Sequence, residues 1–202
     1  MTAYRNFTDD FAGRCLEVFN NIPPDLREER RVTLLLMIAS SAFVLPFELL
    51  KPDTEYSSHP FRENVRQSKA ANILKGALDE KFCASQFVKA SAGAWRFAKN
   101  VSDVSGELDS WLPGVDLKPI SRDKLVGSTL THIRNSIAHG NVHVKGIPNI
   151  TELILLREQK DHDNKRVGFS ILTLPVSDFE YFVKSWISFL KSVNFEEIRC
   201  AA

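Results

Sequence analysis

The chain has little cysteine, and what it has forms no pattern. Cys15, Cys83 and Cys200 are odd in number, far apart and never arranged as CxxC. No zinc-ligand spacing and no disulfide framework can be built from them, so reduced thiols in a cytoplasmic protein are expected. An excess of one charge is missing too: 26 Lys and Arg stand against 25 Asp and Glu, for a net charge of +1. A broad DNA-coating surface would need a basic excess, whereas a small local phosphate site would not. The opening MTAYRNFTDDF has no apolar core, so no secretion signal is expected. The longest apolar run, LLLMIASSAFVL at 34–45, falls short of the roughly 20 residues that span a bilayer. It reads as a buried helix, and no membrane partner is expected. Repeats, low-complexity tracts, GxGxxG or GxxxxGK[ST] phosphate loops and a GxSxG elbow are all missing.

What is present is mostly helical periodicity. The 202 residues suit one domain, 1–202, with a substantial core. A first helix fits 7–21, with Phe7, Phe11, Leu16 and Phe19 inward. Pro23-Pro24 breaks it, and Asp25 with Glu28 resembles a capping box opening the apolar helix, which can continue past Pro46. A loop at 51–59 precedes a helix from Pro60 to about 79, and another is expected over 84–101 with Phe87, Val88, Trp95 and Ala98 inward. The stretch 102–119 is irregular, with one helical turn around Leu108. Beyond residue 140 the period changes. NITELILLRE and VGFSILTLPV are β-rich runs around a polar turn, a hairpin. SDFE at 177–180 then caps a last helix with Phe179, Phe182, Val183, Trp186, Ile187 and Leu190 on one face. The expected fold class is therefore all-α: a helical bundle with one small β-hairpin inserted before the last helix.

The helix expected at 121–139, with Ser121 as N-cap and Gly140-Asn141 as its stop, carries THIRNSIAHGN. Val126, Leu130, Ile133 and Ile137 share one narrow apolar stripe. With Ile133 at zero, Arg134 lies near 100°, Ala138 near 140°, Asn135 near 200° and His139 near 240°. Arg134, Asn135 and His139 thus share an arc off the core with a small residue between them. Any amphipathic helix can carry such residues as a wet face. His132, near 260°, is expected as a solvated neighbour of His139 or a secondary contact. His139 and His143 are four apart, but Gly140-Asn141 intervenes, so no metal site and no cofactor are expected. Arg62, Arg66 and Lys69 form a basic strip on the 60–79 helix, either a solvated face or an RNA-backbone track.

The run Arg134 to Asn141, RNSIAHGN, resembles the R-x4-6-H signature of the HEPN superfamily. A polar residue after the Arg, a small residue before the His and a Gly after it all match that resemblance. It implies a metal-independent endoribonuclease with Arg134, Asn135 and His139 as catalytic residues, in a toxin or RNA-defence setting. It also implies a homodimer whose two motifs face one cleft, RNA as substrate, and a cognate antitoxin or other partner protein as a possible binder. The alternative is a non-catalytic HEPN module that binds nucleotide, RNA or a partner protein. The residue types suit the chemistry. An imidazole can take or give a proton near neutrality, and the guanidinium fork fits phosphate oxygens.

Overall fold

The computed structural model describes residues 7–50, 65–89, 94–102, 104–146 and 149–193. Three helices come first: α1 Phe7–Asn21, α2 Pro24–Leu50 and α3 Val65–Asp79. Pro24 opens α2 at the position where a missing N–H costs nothing, since first-turn donors have no partner within the helix. The helix runs on through Pro46, as its sequence allows. Phe19, Leu35, Ala39 and Phe43 are buried together with the last helix, α6 Val176–Ser192. There the expected face of Phe179, Phe182, Val183, Trp186, Ile187 and Leu190 is buried throughout. Trp186 joins the layers by donating its indole N–H to the Ala42 carbonyl at 3.0 Å. The expected SDFE cap does not form. The helix starts at Val176 after Pro175 without a side-chain cap, and the Ser177 hydroxyl meets the Asp178 carboxylate instead.

The expectation of an all-α bundle with one small hairpin is overturned. Alongside six helices the described residues form a five-stranded antiparallel sheet, so the class is mixed α and β. Its strands are β1 Arg96–Val101, β2 Lys118–Pro119, β3 Val142–Lys145, β4 Glu152–Lys160 and β5 Arg166–Pro175, in the order β2-β1-β5-β4-β3. The helix expected over 84–101 is replaced by a 3-10 turn at Phe82–Ala84 followed by β1. Ser85 closes that turn: its hydroxyl donates to the Phe82 carbonyl at 2.8 Å and accepts the Phe87 N–H. Phe87, Val88, Trp95 and Ala98 are all buried as anticipated, but on turn and strand rather than on one helix.

Why the hairpin recruits three more strands follows from its side chains. Leu153, Leu155, Leu172 and Leu174 are buried on one face with the helices. Ile154, Leu156 and Ile171 are buried on the other, against Trp111 of the short helix α4 Leu108–Trp111 and the apolar residues around it. A two-stranded ribbon apolar on both faces cannot stand alone, and its open edges invite pairing. The sheet therefore lies between a helical layer and the segment 104–117, which contains the helical turn expected around Leu108.

Candidate active site

Helix α5, Val126–Ala138, carries the motif and packs against α2 and α3 on one side and β4 on another. It starts five residues later than expected. Ser121 is not its N-cap; the Ser121 hydroxyl instead accepts the Asp123 N–H at 3.3 Å within a turn. The first turn of α5 is held from outside, with the Val126 N–H donating to the Glu80 carbonyl at 2.9 Å. The stop behaves as its sequence implies. Gly140 takes φ +67°, and the Gly140 and Asn141 N–H groups return to the Ile137 and Ser136 carbonyls at 3.1 and 2.8 Å. The chain then turns directly into β3.

Because β3 pairs with β4 from Val142↔Leu155 to Lys145↔Glu152, the far end of β4 overhangs it. That overhang passes beside the C-terminal end of α5. A cleft of about 560 Å³ opens between them, lined by Asn135, His139, Asn141, Arg157, Glu158 and Lys160. His139 is exposed and Asn135 half-buried. Two of the three motif residues therefore face one cavity. Arg134, half-buried and held by an interaction of its own, stands outside that lining.

His132 corrects the sequence reading. It is only 2% exposed and is no solvated neighbour of His139. The Leu155 carbonyl can only accept, so Nε2 carries the ring proton and donates to it at 2.9 Å. Nδ1 is then the acceptor facing the Ser170 hydroxyl at 3.4 Å. Burial, partly opposed by the Leu155 hydrogen bond, lowers its pKa to about 4, and Lys124 and Arg157 press the same way. His132 is thus a neutral peg joining α5 to the sheet. Val126, Leu130 and Ile133 are fully buried, and Ile137 is half-buried.

The remaining candidates separate from the cleft. Arg62 lies outside the described residues; Arg66 and Lys69 fall on α3, where only the backbone is described. His143 pairs across to Ile154 and sets its ring near Trp111, on the opposite face of the sheet. Among the described residues no three His, Cys, Asp or Glu come close enough to hold a metal ion, and no helix is long and apolar enough to cross a membrane. Sequence reasoning missed Arg157, Glu158 and Lys160. They end a strand about twenty residues away in sequence, and only the strand pairing brings them beside His139.

A family model described as HEPN pEK499 p136 matches residues 1–197. The chain belongs to the HEPN superfamily. In this HEPN protein the R-x4-H spacing runs from Arg134 to His139, across the last turn of α5 and its C-cap. No curated protein and no solved structure matches it.

Proposed function

We propose that this HEPN protein is a metal-independent endoribonuclease whose cleft is completed by a second copy of the chain. One observation supports the reading above the others: Asn135 and the exposed His139 share a cleft with the cations Arg157 and Lys160. A base removes the proton from a ribose 2′-hydroxyl, and that oxygen attacks the adjacent phosphorus. The 5′-oxygen leaves with a proton from an acid, giving a 2′,3′-cyclic phosphate and a 5′-hydroxyl. His139 serves one proton task and its counterpart in the second copy the other. Asn135 holds the phosphate or the imidazole, and the Arg134 guanidinium serves the phosphate once the second copy completes the cleft.

The need for a second copy comes from the histidines. Of five in the chain, His132 is buried and neutral, His143 is on the opposite sheet face, and His162 is in the β4–β5 turn beside Asp163. His59 lies outside the described residues. Cleavage of RNA in excess EDTA, leaving 2′,3′-cyclic ends from a species that scatters light as a dimer, is the expected result. Activity lost in EDTA, restored by magnesium and leaving 5′-phosphates, overturns the mechanism; full activity from a monomer overturns the shared cleft. A binding-only module has one point in its favour, that Arg134 stands outside the lining, and the same assay decides it by finding no cleavage.

A further inference from the structure

A second group of cations lies on the helix-facing side of the sheet, next to the cleft. Phe97 of β1 sits edge-on to His132, with ring centroids 5.8 Å apart. The Lys124 ammonium lies 3.4 Å from the Phe97 ring centroid, and that of Lys99 6.0 Å. Arg157 of β4 stands beside this group: its carbonyl lies 3.4 Å from the Ser170 hydroxyl that faces His132, and its charge, like that of Lys99, bears on Lys124. Arg157 also lines the His139 cleft, so the two features are continuous.

The fold builds this grouping at a cost. Between Ala98 and Val101 the pairing of β1 with β5 slips by one residue, a bulge with Asn100 at φ +58°. Ala98 and Val101 both reach the Trp111 side of the sheet, which leaves Lys99 to the side of Phe97. The Gln159 side chain locks the bulge from β4, accepting the Asn100 N–H at 2.8 Å. Gly168 of β5 lies between them, where an added Cβ would come 3.0 Å from the Val101 carbonyl oxygen. Among the described residues, Lys99, Lys124 and Arg157 make no ion pair, unlike Lys81 with Asp123 or Lys118 with Asp116. Lys124 is half-buried, and the loss of water first, then Lys99 and Arg157, lower its pKa to about 8. Like charges crowded with no ion-pair partner are relieved when an anion arrives, and Arg157 carries the positive field into the cleft.

We propose that Lys99, Lys124 and Arg157 form a phosphate-binding ledge that holds the backbone of the RNA strand whose neighbouring phosphate enters the His139 cleft. Phe97 positions Lys124 and does not stack a base, because the ammonium covers its ring. The ledge gives the strand register but no sequence preference, since phosphates carry none. This rests on the ribonuclease reading for its substrate, but binding can be measured apart from cleavage.

The test uses the full chain and a labelled 2′-O-methyl RNA of about twelve nucleotides, which cannot be cut by 2′-hydroxyl attack. Anisotropy titrations across a salt series compare the wild type with Lys99→Gln, Lys124→Gln and the double variant. The double variant is expected to bind about tenfold more weakly at low salt. Its slope of log affinity against log salt should flatten by about 1.4, two contacts at roughly 0.7 each for a single strand. Lys124→Arg, which keeps the charge, should retain most of the affinity. Lys99 is exposed, so Lys99→Gln tests the ledge even where Lys124→Gln lowers stability. Unchanged affinity and slope in Lys99→Gln and the double variant overturn the ledge, as does a wild type that binds no RNA. Inorganic phosphate at millimolar concentration should compete only weakly; full displacement, or an acidic peptide binding as tightly as RNA, would replace the strand with a different ligand. Natural RNA left uncut while these binding losses appear would remove the nuclease reading and leave the ledge standing.

Discussion

His132 and His139 stand seven residues apart on nearly one side of α5, yet they meet opposite surroundings. Beneath His132 lie two paired strands, whose Leu155 carbonyl and Ser170 hydroxyl take up both ring nitrogens. Beside His139 β4 has run past the end of β3 and keeps β5 alone as its neighbour, and the ring faces an open cleft with Arg157 and Lys160. The residue type and the side of the helix are shared. What differs is where β3 stops. A histidine becomes structural or available for chemistry according to what the neighbouring strands cover.

The largest expected effect breaks the comparison at its exposed end. His139→Ala should lower RNA cleavage by about 10²–10⁴-fold, the usual loss on removing a general acid or base. Its melting temperature should stay within a degree or two, because truncation at an exposed helix end opens no cavity. Ile133→Ala, six residues earlier and fully buried, should do the reverse, losing about 2–5 kcal/mol of stability with activity falling only as the protein unfolds. Rate per folded molecule separates the two. An unchanged rate in folded His139→Ala would make that residue scaffold.

The next effect probes the buried end. His132 has a folded pKa of about 4 against an ordinary value of 6.5, so between those limits the unfolded chain holds more protons than the folded one. The neutral peg's full contribution is present above about pH 6.5 and is lost as the pH falls towards 4, by about 3 kcal/mol over the window. Denaturant titrations of the wild type and His132→Gln at pH 7, 5.5 and 4 should show the difference between them shrinking as the pH falls. A constant difference across that range would mean that the imidazole is not the group being titrated.

The same contrast explains what the sequence could reveal. The last helix, the two hairpin strands and the stop at Gly140 were legible because each keeps a single clean period or a strong local signal. Helix α5 was only half legible. A helical wheel assumes one packing side, and α5 has two, one against the helices α2 and α3 and one against the strand β4. Thr129, His132 and Ser136 are therefore buried on a side that the apolar stripe does not mark. Over 84–101 the apolar spacing imitated a helix because Phe87 and Trp95 reach the core from a turn and from the approach to a strand. The four residues of β3 were too short to register, although they set where the overhang begins. Neither the cleft nor its cations could be read, since strand pairing across the hairpin decides which end of β4 meets His139.

The smallest expected effect sharpens the claim that each chain brings a single usable proton carrier to the cleft. Glu158 lines the same cavity as His139 and stands 3.8 Å from Arg166 across the hairpin. If both proton tasks belong to the two copies of His139, Glu158 is only a negative charge among cations and works against an incoming phosphate. Glu158→Gln should then tighten RNA binding by about twofold at low salt, with the gain fading as ionic strength rises and the screening length falls below about 10 Å. The cleavage rate at saturating RNA should stay within about threefold of wild type, well short of the 10²–10⁴-fold loss of a removed base. A collapse of that rate, with binding intact, would make Glu158 the base and His139 the acid within one chain. The second copy would then be unnecessary for chemistry, and an active monomer would be the matching result in light scattering.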